Sequence, residues 1–227
     1  MRKDQKNERY SRQRDIVPPE RMAACRATVI GVGAIGRQVA LQLTAMGIPW
    51  LQIVDFDSVD ASNLASQGYL EADLDRPKVE ATALLCRQIN RDVELHCVKE
   101  PFRRSMETGD CVFCAVDEIQ TRRLIWDALK DRVNFLADGR MGAEVLRIVT
   151  ACDASSRRHY PTTLFRSEEA FVGACTAKTT IYCANIAAAL MVTQFTKDLR
   201  GLPVDCDLQM NLLTSELSVA TPMSSAK

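Results

Sequence analysis

The stretch Ile53-Val54-Asp55-Phe56-Asp57-Ser58-Val59-Asp60 closes an apolar run and then sets three carboxylates within six positions. Acids crowded in this way repel one another unless cations or hydroxyl donors face them. Upstream, Gly31-Val32-Gly33-Ala34-Ile35-Gly36 is a G-x-G-x-x-G turn. Glycines in such a turn let backbone amides approach a phosphate at a helix N-terminus. Asp55 follows Gly36 by 19 residues (55 − 36), where a carboxylate accepts hydrogen bonds from ribose hydroxyls. A tight turn and a solvent-facing acid are the plainer alternative. A dinucleotide oxidoreductase would need only this turn and Asp55. It leaves Asp57, Asp60, Asn63, Lys78 and Asp117 without a task.

The elements that must carry these residues are legible from periodicity. Ala27 to Gly31 is a short apolar strand, and Ala34 to Met46 has helical spacing with Ile35, Val39, Leu43 and Met46 on one face. Gly47 stands where a helix C-cap belongs. Strands are expected at 50–55, 93–98, 110–116, 134–137 and 144–151, and helices at 78–90, 121–130 and 176–199. Pro18-Pro19-Glu20 breaks the chain and opens a short helix, while 153–174 reads as polar and irregular. One or two late strands fall within 208–219. Apolar strands alternating with helices predict an α/β fold, Rossmann-like, with a mainly parallel sheet covered on both faces. The strand at 144–151 has no helix before it, which predicts a mixed or antiparallel C-terminal extension.

Composition narrows the class. The chain has 227 residues, 47% hydrophobic and 26% charged, and a formal net charge of zero. That suits one sizeable core and argues against a bulk electrostatic hold on nucleic acid or an acidic membrane. The charged N-terminus is unlike a signal peptide, and the apolar run 181–195 is too short and interrupted to span a bilayer. Nine cysteines, an odd number without paired spacing, fit a reducing cytoplasm. We therefore expect one cytoplasmic domain over 1–227, with an N-terminal arm at 1–20 and a disordered tail at 221–227.

The turn at 31–36, IVDFDSVDASNL, RPKVEA and AVDEIQTRR, in this order and spacing, resemble the ThiF/MoeB/ubiquitin-activating superfamily. The resemblance runs from Arg9 through Val149 and more loosely through the helix after Cys175. It implies ATP-dependent adenylation of the C-terminal carboxylate of a ubiquitin-like protein. A carboxylate that attacks the α-phosphorus of ATP expels pyrophosphate, so the anions need Mg²⁺ and cations around them. By this likeness Asp55 holds the ribose, Asp57 lies nearer the phosphates beside Mg²⁺, and Asn63 donates to phosphate. Lys78 brings a point charge to the β/γ oxygens, and Asp117 matches the metal-binding aspartate. Taken singly, Asp60 is a turn or cap residue, Lys78 a solvated helix-start lysine, and Asp117 an N-cap.

Arg9-Tyr10-Ser11-Arg12-Gln13 resembles the RYxRQ opening of these proteins. In relatives its second arginine reaches the neighbouring subunit's ATP, which implies a homodimer with Arg12 acting in trans. One departure stands out. Where relatives read SNLxRQ, this chain has Ser62-Asn63-Leu64-Ala65-Ser66-Gln67, so a cation is missing at Ser66. Either Arg12 and Lys78 suffice, another arginine such as Arg140 substitutes, or turnover is weak.

Relatives often hold zinc on two Cys-x-x-Cys pairs. Here Cys111-Val112-Phe113-Cys114 lies in an apolar strand whose alternation sends the sulfurs to opposite faces, so no zinc site is expected. Cys175-Thr176-Ala177-Lys178 looks like the surroundings of the thioester-forming cysteine of ubiquitin-activating enzymes. A helix N-terminus and a nearby ammonium favour thiolate there; a small packing residue is the other reading. By the same likeness, 153–174 is a loop crossing over the substrate's tail, and His159 either faces that tail or is exposed without a role. The resemblance also allows a downstream conjugating enzyme. Three alternatives stay open: adenylation of a sulfur-carrier protein or peptide without a thioester, a catalytically weak nucleotide-binding scaffold, and, more distantly, a nicotinamide-dependent oxidoreductase.

Overall fold

The computed structural model describes residues 8–164 and 179–220. The strands are β1 (Arg26–Ile30), β2 (Trp50–Val54), β3 (Glu94–Val98), β4 (Cys111–Cys114), β5 (Phe135–Gly142), β6 (Val145–Ala151), β7 (Asp207–Asn211) and β8 (Glu216–Val219). They form one sheet in the order β3-β2-β1-β4-β5-β6-β7-β8. Pairing is parallel from β3 to β5 and antiparallel from β5 to β8. The mixed α/β architecture is the one expected. Its cause is visible in the chain, because β5 and β6 are joined by a hairpin turn in which Ala143 has φ 52°.

The helices are α1 (Pro19–Ala23), α2 (Ala34–Met46), α3 (Ala61–Gln67), α4 (Lys78–Ile89), α5 (Ile119–Leu129), α6 (Ala154–His159) and α7 (Ile181–Leu199). Successive strand residues sort to opposite faces. Val29, Ile53 and Phe113 share one core with Val39 and Leu43 of α2 and Met191 and Phe195 of α7. Ile30, Val54 and Val112 share the other with Ile125, Trp126 and Leu129 of α5 and with Tyr160. Cys111 belongs to the first core and Cys114 to the second, as alternation predicts. Gly47 ends α2 in the left-handed region at φ 98°, and its amide donates to Leu43 O.

Residues 61–67, to which periodicity assigns no element, form α3; Asp60 caps it and accepts from Ser62 N at 2.7 Å. Two elements depart from expectation. The start of the segment expected to be irregular is α6 followed by a 3₁₀ turn, Tyr160–Thr163. Asp153 caps α6 by accepting from Ser156 N at 2.8 Å. The last long helix starts at Ile181, not Thr176, with the Thr180 hydroxyl accepting from Cys183 N at 3.4 Å. Cys175 lies outside the described residues. The helix N-terminus invoked for its thiolate belongs to Thr180 and the residues after it.

Candidate nucleotide site

The strand order reverses between β1 and β4, and open α/β sheets bind ligands in the crevice outside that switch point. The turn after β1 faces the turn after β4 there. Gly31 has φ 84°, and a Cβ on it would stand 2.8 Å from Ala115 O. A Cβ on Gly36 would stand 1.8 Å from Gly31 O, so α2 packs on the turn only without a side chain there. Gly33 is the N-cap of α2 and makes no side-chain cap bond. The amides of Ala34 and Ile35 begin the helix, where no intrahelical acceptor exists.

Asp55 directly follows β2. Its Oδ2 accepts from Val32 N at 2.8 Å and its Oδ1 from Asp57 N at 2.9 Å. Burial pushes its carboxyl above the ordinary carboxylate range, while the two amides and the Lys78 charge draw it down. A carboxylate has about four acceptor sites, so two remain for hydroxyls. Lys78, the first residue of α4, ion-pairs with Asp57 at 3.0 Å; its side chain is 8% exposed and that of Asp57 49%. The Lys78 amide also donates to Asp57 O at 2.9 Å. Asn63 is buried and completes the cap of α3: its Oδ1 accepts from Asp60 N at 3.2 Å and its Nδ2 donates to Ser62 Oγ at 3.3 Å. The Ser66 hydroxyl turns back to donate to Ser62 O at 3.0 Å. Asp60 is therefore a cap.

Asp117 is exposed, three residues past β4. It is not the cap of α5, a place taken by Glu118. The ground beneath it is a cluster that sequence reasoning missed. Asp138, fully buried in β5, pairs with Arg122 of α5 and with Arg140 at 2.8 Å, and accepts from Tyr160 Oη at 2.9 Å. Arg122 also donates to Val116 O, beside Asp117. Arg140 donates further to Thr163 O at 2.7 Å, so it is engaged within the core. The signal was an acid at an apolar strand's end and an arginine on a helix's inner face, too far apart in sequence to look paired. His159 ends α6, and its Nε2 lies 2.8 Å from Asp207 Oδ2, which Arg147 also holds at 2.6 Å.

The arm bearing Arg12 docks elsewhere. Gln13 donates to Met46 O at 2.8 Å, Asn90 donates to Tyr10 Oη at 3.2 Å, and the Tyr10 ring lies over Gly47. Met46 and Gly47 mark the C-terminal end of α2, and Asn90 the C-cap of α4. The 13 residues of α2 span about 20 Å at 1.5 Å per residue, so Arg12 is far from its own chain's glycine turn.

No three His, Cys, Asp or Glu side chains among the described residues form a ready cation site. Mg²⁺ in nucleotide sites commonly takes one or two carboxylates and completes its shell with phosphates and water. Exposed Asp117 and half-exposed Asp57 suit that manner of binding.

The ThiF family profile matches residues 10–222. The chain belongs to the ThiF family. This ThiF-family chain is 34% identical over 134 residues to the SAMP-activating enzyme E1 of Haloferax volcanii, across 54% of its own length and 50% of the relative's. It is 31% identical over 149 residues to the sulfur carrier protein ThiS adenylyltransferase of Bacillus subtilis, across 60% of its own length and 44% of the relative's. It thus spans half or less of these two curated relatives. The fold matches a crystal structure of PaaA with a TM-score of 0.79 at 18% identity, covering 98% of this chain and 85% of that one. It matches Escherichia coli MccB with ATP at 0.75 and 14% identity, covering 96% and 74%. No helix among the described residues is long and apolar enough to cross a membrane.

Proposed function

We propose that this chain is a single ThiF-type domain that adenylates the C-terminal carboxylate of a ubiquitin-like protein with ATP. The observation that carries this reading is the meeting of the glycine turn, Asp55 and the Lys78–Asp57 pair at the β1/β4 switch point. In this account the first amides of α2 hold phosphate, and Asp55 uses its two remaining acceptor sites on the ribose. Lys78 trades part of its hold on Asp57 for the β/γ oxygens. Asn63 gives up Ser62 Oγ to donate to a phosphate oxygen. Asp117 and Asp57 would hold Mg²⁺, which when bound supplies charge neutralisation to the departing pyrophosphate. Arg12, too far from its own site, serves the site of a second copy, so the working form is a homodimer. The setting is cytoplasmic, and the Cys175 thiolate attacks the acyl carbon of the adenylate, breaking its bond to phosphate and releasing AMP, to leave a thioester from which a conjugating enzyme takes the ubiquitin-like protein.

Calorimetry tests the nucleotide: ATP with Mg²⁺ binds and NAD does not. Tight NAD binding without ATP binding would reject the reading. A second reading omits the thioester: an acceptor attacks the acyl-adenylate of a sulfur carrier or a peptide directly, and AMP leaves. It is favoured by the likeness to the ThiS adenylyltransferase.

A further inference from the structure

Arg37 directly follows the glycine turn, in α2, and is 2% exposed. Its guanidinium lies 4.4 Å from the centre of the Tyr69 ring. Its Nη1 is 3.5 Å from where a Cβ on Gly68 would stand. Its Nε is buried without a hydrogen-bond partner. Among the described residues no carboxylate comes within ion-pair distance of it; Asp73, the nearby acid, accepts from Leu70 N instead. A buried guanidinium without an anion is costly, and a face on a tyrosine offsets only part of that cost.

A second group is left open beside it. Gln67 Oε1 is also buried without a partner, 3.7 Å from where a Cβ on Gly33 would stand. The two flank the single step Gln67–Gly68 at the end of α3. The Tyr69 hydroxyl donates to Val32 O at 2.6 Å, which fastens the stack to the glycine turn. Turning over the Gln67 amide presents its NH₂ group to that turn. The neighbouring cations are engaged: Lys78 by Asp57, Arg122 and Arg140 by Asp138. Ser66, on α3, turns its hydroxyl to Ser62 O and offers no charge.

We propose that Arg37 is the cation that pairs with the nucleotide's phosphoryl tail, with the Gln67 amide as a neutral donor beside it. The anion missing around Arg37 is then the substrate's own, and α2 supplies the charge that α3 lacks at Ser66. This rests on the ATP reading above. A purely structural role is the competing account, because a cation beside the carbonyl end of α3 is favourable in itself.

Calorimetry with ATP·Mg²⁺ and with AMP, alongside thermal unfolding, separates the two. Arg37→Met should weaken ATP binding about 30-fold or more, as loss of a charge-assisted contact does, and change AMP binding less than about threefold. Adding Ser66→Arg to Arg37→Met should recover most of the ATP affinity. Equal losses for ATP and AMP, no loss for either, or no recovery with Ser66→Arg would overturn the proposal. Should Arg37→Met not fold, Ser66→Arg alone decides. With the cation already present it should alter ATP affinity less than about threefold, and a gain of about tenfold or more would overturn the proposal. Wild-type protein that binds no ATP would instead reject the nucleotide reading itself.

Discussion

Lys78 Nζ lies 3.0 Å from Asp57 Oδ2, joining the first residue of α4 to the acidic segment after β2. Asp57 is half in water, so the pair is worth about 1 kcal/mol or less to the fold. Asp57→Asn should leave the urea midpoint almost unchanged yet lower ATP·Mg²⁺ affinity about tenfold or more. Paired urea titration and calorimetry check this. A large stability loss with ATP affinity intact would make the pair structural.

Asp55 and Asp207 should respond to pH with opposite signs. Burial raises the Asp55 carboxyl and its amide bonds do not cancel the effect. The folded protein therefore takes up that proton before the unfolded chain does. Ionised Asp55 costs stability at neutral pH, and the cost fades as pH falls. Burial alone would raise Asp207 too, but the bonds from Arg147 and His159 outweigh it and hold it below the ordinary range. Its contribution is present above the unfolded value and lost as pH falls through the folded one. Urea titrations from about pH 7 to about pH 3 give the slopes. The stability of wild type relative to Asp55→Asn should rise toward acid, and relative to Asp207→Asn it should fall. Slopes of the same sign would contradict the assignment.

Much of this was legible because it is local. The span of α2, its Gly47 stop and the apolar strands follow from spacing alone. The glycine turn and Asp55 are likewise a motif of fixed separation, and they meet through Val32 as that separation requires. What escaped was either short or distant. α3 has only seven residues and shows no helical period; its cap, Asp60, was visible but its length was not. The Arg122–Asp138–Arg140–Tyr160 cluster joins α5, β5 and the turn after α6, and only tertiary packing brings those together. Arg37 likewise has no marking neighbour in sequence; Tyr69 and Gly68 come against it only in the fold.

The proposal that Arg12 serves a second copy's site is motivated by the docking of the N-terminal arm at the far end of α2. Arg12→Ala and Asp117→Ala proteins, each nearly inactive alone, should regain activity on mixing, at one intact site per mixed dimer. Mixed dimers that form but stay inactive would place Arg12 outside any active site, as would a strictly monomeric wild type.

Adenylation needs the phosphate-binding residues, whereas a thioester needs a nucleophile. Cys175→Ala should therefore keep ATP–pyrophosphate exchange and lose any thiol-labile adduct with a ubiquitin-like protein on a denaturing gel. A labile adduct that survives Cys175→Ala would assign the acceptor to another cysteine. Wild type that exchanges without ever forming the adduct would favour direct transfer.

The most direct measurement is ATP–pyrophosphate exchange in the presence of a ubiquitin-like protein with a free C-terminal glycine carboxylate. Exchange should depend on that carboxylate and on Mg²⁺, and should fall about 100-fold or more in Asp117→Ala, roughly 3 kcal/mol of barrier. Exchange untouched by Asp117→Ala, or no exchange from a wild type that binds ATP, would contradict the proposed adenylation.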